Sequence, residues 1–223
     1  MMNTRPLAVI TAGPTREKID PVRFWSNRST GKMGYALAEA ACQAGFRTVL
    51  ISGPTHLQPP EGVEFRSIES AAEMAAAVKE YAPDAALLIM AAAVADYRPV
   101  AILDSKVKKM PGRWTLELER TEDILAGLGQ RKPQGQILVG FAAETDDLLQ
   151  NAREKLERKN LDWIAANDVR AADRGFGSDN NAVTLISRQG DFIELPLASK
   201  GEIARQMIDR IAGKILAPQS QEL

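Results

Sequence analysis

Cysteine, histidine and aromatic rings are scarce in this chain: it has one Cys, one His, three Trp and three Tyr among 223 residues. The single cysteine, Cys42, excludes an internal disulfide and fits a reducing cytosol. It lies in the run Tyr35-Ala-Leu-Ala-Glu-Ala-Ala-Cys-Gln-Ala44 with no paired base, so a small buried hydrophobe is expected rather than a nucleophile. The one histidine, His56, falls in a Pro-rich loop over 53–62 and reads as a solvated residue. No dedicated metal cage is visible. An excess of charge of either sign is also missing. The net charge is −1 and the pI about 6.0, which gives no bulk attraction to nucleic acid or to an anionic membrane. No apolar run reaches the length of a membrane span, and the N-terminus lacks the apolar region of a signal peptide. A cytoplasmic location is the expectation.

What is present is enough for one sizeable core, since 45% of the residues are apolar. A single domain over 1–216 and a frayed tail over 217–223 are expected. Strand and helix signals alternate through the first two thirds of the chain. Strands are expected at 7–11, 47–52, 85–90, 137–142 and 163–166. The 85–90 run, Ala-Ala-Leu-Leu-Ile-Met, is apolar throughout, as a parallel strand covered on both faces must be. Helices are expected at 32–44, with Met33, Leu37, Ala40, Ala41 and Ala44 on one stripe and Gly45 closing it, and at 70–81, capped by Ser70 with Glu73 at capping-box spacing. Two more are expected at 122–129 and 146–158. The ending differs in kind: runs 182–186 and 192–195 flank Arg188-Gln-Gly-Asp191 and read as a hairpin. A final helix carries Ile203, Met207, Ile211 and Ile215 on one stripe. The fold class is therefore α/β: a doubly wound, Rossmann-like, mostly parallel sheet with an antiparallel C-terminal addition. Residues 98–120 break the alternation with a basic cluster, a Pro-Gly turn and an alternating strand at 114–118. They read as a flap or a dimerisation arm.

The segment from Ile10 to Gly34 is the most informative. A strand meets a Gly13-Pro14 break, a long polar loop follows, and a helix opens at Ser29-Thr30-Gly31. Such a junction aims backbone N–H groups and the positive end of a helix dipole at one point, which suits phosphate or carboxylate. A loop this long between strand and helix is usually functional. Ordinary nucleotide signatures fail here. No Gly-x-Gly-x-x-Gly follows the strand, and the second strand ends in Ser52-Gly53-Pro54 without an acidic residue. Gly31-Lys32 is not a Walker motif either, because Ser26 replaces its first Gly and Met33 its Ser or Thr. Taken residue by residue, Asn27 is equally a helix cap, Arg23 a surface residue, Asp96 a turn residue, Phe141 core, and Lys106, Lys155 and Lys159 solvated lysines. An NAD(P) reductase on a Rossmann sheet and a nucleotide-binding module without catalysis are the other classes to weigh. The first lacks its glycine fingerprint and a Tyr-x-x-x-Lys pair.

Six ordered motifs accompany that segment: Ala91-Ala-Ala-Val-Ala-Asp-Tyr-Arg98, Lys106-Val-Lys-Lys109, Val139-Gly-Phe-Ala-Ala-Glu-Thr145, Lys155-x-x-x-Lys159-Asn160, Ala166-Asn-Asp-Val169 and Phe176-x-Ser-Asp-Asn-Asn-Ala182. Together they cover nearly the whole chain, and it resembles the phosphopantothenoylcysteine synthetase family of coenzyme A biosynthesis, bacterial type. In bacteria this ligase is often the C-terminal half of a bifunctional protein with a flavin-dependent decarboxylase. The resemblance implies a reaction in two halves. The carboxylate of 4′-phosphopantothenate attacks the α-phosphate of CTP to give an acyl-cytidylate and pyrophosphate. The amine of L-cysteine then displaces CMP.

The resemblance also implies roles. Asn27 and Arg23 meet the acyl end and serve the cysteine step, while Lys106 helps form the cytidylate by offsetting charge on the leaving pyrophosphate. Ser29, Thr30, Gly31 and Lys32 hold the phosphate of the substrate, and small Ala93 lets it approach the backbone. Asp96, Phe141, Lys155 and Lys159 bind nucleotide, together with Glu122, Asp123, Ile124 and Leu125. Here Glu122 replaces the family's usual Pro and Thr121 its usual Asn, changes that a loop making backbone contacts tolerates. Mg²⁺ is implied as cofactor, held mostly by phosphates and water, and a homodimer as the assembly.

Overall fold

Strands without a polar face must be covered on both sides, and in this computed structural model they are. It describes residues 5–109, 111–144, 148–168 and 177–216. The main sheet contains β1 (Leu7–Ala12), β4 (Arg47–Ser52), β5 (Glu64–Ser67), β6 (Ala85–Met90), β9 (Ile137–Glu144), β10 (Trp163–Asp168), β11 (Asn180–Ser187) and β12 (Phe192–Ser199). Two small hairpins stand outside it: β2 (Arg16–Lys18) with β3 (Phe24–Ser26), and β7 (Tyr97–Pro99) with β8 (Leu118–Arg120). The helices are α1 (Lys32–Gln43), α2 (Ala71–Tyr81), α3 (Ile124–Arg131), α4 (Leu148–Arg158) and α5 (Lys200–Leu216).

The sheet runs in the order β12-β11-β10-β9-β6-β1-β4-β5. The six strands from β10 to β5 are parallel, and β11 and β12 add on antiparallel. The chain moves outward from β1 through β4 to β5, then returns to place β6 on the other side of β1. This reversal opens a crevice at the carboxyl ends of β1 and β6, where α/β sheets collect ligands. Helices α1 and α5 cover one face, with Leu37, Ala41, Ile203 and Met207 packed near Ile10, Leu87 and Ile89. Helices α2, α3 and α4 cover the other, with Met74, Val78, Ile124 and Leu156 near Val9, Leu88 and Leu138.

The expected class, a doubly wound, mostly parallel sheet with an antiparallel addition, is found, with local corrections. The loop after β1 is folded into the β2–β3 hairpin, whose three-residue strands are too short to leave a period. Strand β5 was not anticipated, because all four of its residues are exposed and it exists only as the edge partner of β4. Helix α1 begins at Lys32, as expected, with Gly31 as its cap, and ends at Gln43, one residue early. Ala44 is exposed rather than part of the stripe, and Gly45 turns left-handed just beyond it, at φ 105°. Cys42 is half-buried, with its Sγ 3.9 Å from the Glu61 carbonyl. Ser70 caps α2 by accepting from the Glu73 N–H, but the Glu73 carboxylate takes its bond from Glu69 N–H, one residue earlier than a capping box would. Helix α3 runs two residues later than expected, capped by Asp123. Residues 114–117 form no strand: the Trp114 ring lies instead against the Arg23 guanidinium, 4.9 Å from ring centre to carbon. Thr145, Asp146, Val169, Phe176 and the tail from Ala217 lie outside the described residues.

Close approach of α3 to the end of α4 depends on one glycine. A Cβ added to Gly129 would sit 1.9 Å from the Lys159 carbonyl oxygen. Asn160, left-handed at φ 53°, closes α4 there and donates from its side chain to the Gly129 carbonyl at 2.7 Å. Gly129→Ala is therefore expected to cost about 3 kcal/mol through forced backbone movement. Gly201→Ala, in open space at the start of α5, should gain about 0.5 kcal/mol by restricting the unfolded chain. Urea denaturation of both variants checks the pair, and equal stabilities would contradict it.

Candidate active site

Where β1 and β6 leave the sheet, their continuations are tied together by buried threonines. Thr11 Oγ1 accepts from Ala92 N–H at 3.2 Å and Thr15 Oγ1 from Ala95 N–H at 3.0 Å. Backbone bonds add Ala93 N–H to the Gly13 carbonyl at 2.9 Å and Thr15 N–H to the Ala93 carbonyl at 3.3 Å. Both threonines are fully buried, so their hydroxyls replace ladder partners that the diverging strands no longer supply. Just past β6 the stitched backbone carries the small side chains Ala91, Ala92 and Ala93, and it floors a cleft of about 720 Å³.

Three groups of side chains wall this cleft. The first comes from β3 and the start of α1. Asn27 donates through Nδ2 to the carbonyls of Ala93 at 3.1 Å and Val94 at 3.3 Å. Those two acceptors fix the amide's orientation, since only the NH₂ end can bond a carbonyl. Gly31 takes φ 80°, and no side chain caps α1, so the first-turn N–H groups beside Ser29, Thr30 and Lys32 present the helix's positive end to the cleft. Gly34 lets α1 come this close, because an added Cβ would stand 2.8 Å from the Thr11 carbonyl oxygen.

The second wall is α3, α4 and the segment before α3. Asp123 accepts from Ala126 N–H at 3.0 Å and from Lys159 Nζ at 2.9 Å. Burial would raise the Asp123 carboxyl, but those two bonds and the nearby lysine charges outweigh it and hold it below the usual carboxylate range. Lys155 reaches across to the Phe141 carbonyl at 2.7 Å. Ile124 and Leu125 line the same wall, whereas Glu122 turns its carboxylate to Lys79 at 2.7 Å.

The third wall, near β11 and α5, was not assigned from sequence. Lys200 is buried, lines the cleft and donates to the Ser178 carbonyl at 2.6 Å. Burial pushes its ammonium below the ordinary lysine value, and Lys32 adds repulsion. Lys32 itself donates to Asp179 at 2.6 Å, and this bond lowers the Asp179 carboxyl. Asn181 and Asn167 also line the cleft, and Asn167 Oδ1 is buried without a hydrogen-bond partner. Lys200 was hidden at the head of a stripe read only for its apolar period. Arg158, which lines the cleft beside Lys155 and Lys159, was legible: it stands at i+3 from Lys155, on the same helix face.

The structure thus brings together Asn27, Ser29, Thr30, Gly31, Lys32, Ala93, Asp96, Glu122, Asp123, Ile124, Leu125, Phe141, Lys155 and Lys159 around one cleft. It does not bring Arg23 or Lys106 there. Lys106 is exposed in the loop between β7 and β8. Arg23 is held away from the cleft by Asp20, to which it donates through Nε at 2.9 Å and Nη2 at 2.5 Å, and by the Val107 carbonyl at 3.1 Å. Among the described residues, no group of three His, Cys, Asp or Glu side chains is placed to hold a metal, and no helix is long and apolar enough to cross a membrane.

Comparison with known proteins agrees with this fold. The family model described as the DNA/pantothenate metabolism flavoprotein C-terminal domain matches residues 5–215. The chain is 55% identical over 205 residues to the coenzyme A biosynthesis bifunctional protein CoaBC of Bacillus subtilis (strain 168), covering 92% of this chain and 50% of that protein. It is 47% identical over 205 residues to the CoaBC protein of Vibrio cholerae, covering 91% and 51%. The chain therefore spans about half the length of the curated relatives it matches. Among solved structures, the C-terminal domain of a CoaBC protein superposes with a TM-score of 0.81 at 44% identity, over 95% of this chain and 96% of that one. This chain belongs to the DNA/pantothenate metabolism flavoprotein C-terminal domain family.

Proposed function

We propose that this chain is the ligase that joins L-cysteine to 4′-phosphopantothenate with CTP as the activating nucleotide. The observation that carries the reading is the cleft itself. An amide anchored at Asn27, an alanine floor, an uncapped helix N-terminus and the lysine face of α4 converge there, in a chain 55% identical to a coenzyme A biosynthesis protein. CTP rather than ATP follows from the bacterial character of the motifs.

A carboxylate is a poor acyl donor, so activation must come first. The substrate carboxylate attacks the α-phosphorus of CTP, and the bond from that phosphorus to the pyrophosphate oxygen breaks. Crowding a phosphomonoester, a carboxylate and a triphosphate in one cleft is a problem of positioning and charge. The α1 N-terminus, Ser29, Thr30 and Lys32 take the substrate phosphate, with Lys200 close by. Lys155 and Lys159 take the triphosphate, Asp123 fixes Lys159, and the loop of Lys106 closes over the leaving group. Mg²⁺ would fit as a companion of the phosphates: among the described carboxylates lining the cleft, Glu122 and Asp123 engage Lys79 and Lys159, and Asp96 would hold the ion with phosphate oxygens and water. Bound there, it supplies neutralisation of triphosphate charge.

In the second half, the cysteine amine attacks the acyl carbon and CMP leaves. Because Asn27 Nδ2 is committed to two carbonyls, its Oδ1 is the end free to accept from the incoming amine. This differs from a role as donor to the acyl oxygen. The relatives' length and bifunctional names support a flavin-dependent decarboxylase, fused or separate, as partner in the bacterial cytoplasm. Exposed Val22, Phe24, Trp25, Val100 and Ile102 on the hairpin and the neighbouring arm support a homodimer formed through that face.

Incubation with CTP, phosphopantothenate and cysteine is expected to release pyrophosphate and CMP only when phosphopantothenate is present. Release indifferent to that substrate, or faster with ATP, would contradict the assignment. Two variants should separate the half-reactions. Asn27→Asp places a carboxylate against two carbonyl oxygens and removes the donor that anchors the side chain, which displaces the oxygen that meets the amine, so acyl-cytidylate should accumulate and be seen by mass spectrometry. Lys106→Gln should accumulate none and lose on the order of 10²-fold in rate, as one missing charge contact to a developing anion does. Accumulation in the Lys106 variant would reverse the two roles.

A further inference from the structure

Two asparagines of the cleft have no part in the reaction as given, and both keep polar atoms out of water. Asn167 stands at the carboxyl end of β10, level with Ala143 of β9. Its Oδ1 is buried and, among the described residues, has no hydrogen-bond partner. Asn181 stands at the start of β11 and is 1% exposed. Its Oδ1 is used locally, accepting from Ala182 N–H at 3.0 Å. Its Nδ2 meets the Met33 sulfur at 3.9 Å, and a thioether is a weak acceptor. The strand is bulged here: the step from Asn181 to Val183 on β11 matches the longer step from Ala198 to Leu195 on β12. Such bulges re-aim side chains beside functional sites. Both asparagines line the cleft. A buried acceptor without a donor and a buried donor facing only sulfur are costly to a folded chain. A ligand that supplies the missing partners accounts for both.

We propose that Asn167 and Asn181 bind the uncharged middle of the phosphopantothenate chain, with Asn167 Oδ1 accepting and Asn181 Nδ2 donating. The inference rests on the substrate proposed above. Between its phosphate and its carboxylate that molecule carries a secondary hydroxyl and a secondary amide. These offer an O–H or N–H to Asn167 and an oxygen to Asn181. The position of Asn181 favours this molecule over the nucleotide. It shares its wall with Lys200 and meets Met33, the neighbour of Lys32, whereas the triphosphate belongs to the lysine face of α4. Amides also suit the task, because they match neutral groups without adding charge to a cleft crowded with anions. Their effect is on specificity: a buried amide left unpaired rejects a ligand that lacks the matching group.

The test is the KM of each substrate, read by pyrophosphate release, in Asn167→Leu and Asn181→Ser. The serine keeps an oxygen for the Ala182 N–H but withdraws the amide donor. Each variant is expected to raise KM for phosphopantothenate about tenfold, as loss of one hydrogen bond does, and KM for CTP less than about twofold. Tm of Asn167→Leu should stay level or rise, because the substitution removes an unsatisfied acceptor. Two analogues probe the unaltered protein by calorimetry, one without the secondary hydroxyl and one with an ester in place of the amide. At least one should bind about tenfold more weakly than phosphopantothenate, and Asn167→Leu should abolish that preference. A KM rise for CTP as large as that for phosphopantothenate assigns the pair to the nucleotide and overturns the inference. A fall in Tm with both KM values unchanged marks structural asparagines and overturns it too. Should the variants fail to fold, equal binding of both analogues by the unaltered protein overturns it. Each of these results leaves the ligase reading standing. An unaltered protein that releases no pyrophosphate with phosphopantothenate overturns that reading and the inference with it.

Discussion

Everything in this molecule depends on how two parallel strands part company. Strands β1 and β6 run side by side to Thr11 and Met90, after which the chain must send one toward α1 and the other toward the β7–β8 arm. Separating them strands backbone donors that no longer face a partner, and unsatisfied buried groups are costly. Thr11 and Thr15 supply the missing acceptors, and an isolated bridge between Pro14 and Ala93 holds the gap at a fixed width. The same stitching presents two carbonyls to Asn27. The floor of the cleft and the orientation of its central amide are therefore consequences of one solution to a hydrogen-bonding problem.

The charge arrangement follows from that floor. The protein is nearly neutral overall, so attraction for anions has to be local. It is built from the α1 dipole, Lys32 and Lys200 on one side and from Lys155, Arg158 and Lys159 on the other. Among the described residues, Asp179 moderates Lys32 on one side and Asp123 moderates Lys159 on the other. Such pairing keeps the lysines ordered and lets an arriving phosphate exchange with a carboxylate rather than order a free chain. Glycines at 31, 34 and 129 set the distances by allowing backbone contact where a side chain would intrude.

Much of this was legible in the sequence, and the failures have physical causes. The strands β1, β4, β6 and β9 are apolar on both faces, which marks parallel strands well, and the capped helix α2 announces itself by Ser70 and Glu73. Edge strand β5 and the short hairpins are invisible because pairing, not burial, makes them. The cleft residues were found by motif, and most of them converge as expected. Lys200 was missed because a buried lysine at a helix start reads as a surface residue until its surroundings are known. Arg23 shows the opposite limit: its motif was plain, but its tie to Asp20, Val107 and Trp114 joins segments more than 80 residues apart, which no local pattern reveals.

In the proposed reaction one oxygen of the substrate carboxylate bonds to the α-phosphorus of CTP and leaves with CMP. Phosphopantothenate labelled with ¹⁸O in its carboxylate tests this in a single experiment, with products read by mass spectrometry after complete turnover in the presence of cysteine. Attack on the α-phosphorus predicts one labelled oxygen in CMP and none in pyrophosphate. Label in inorganic phosphate accompanied by CDP would show activation through an acyl phosphate instead, and would contradict the account.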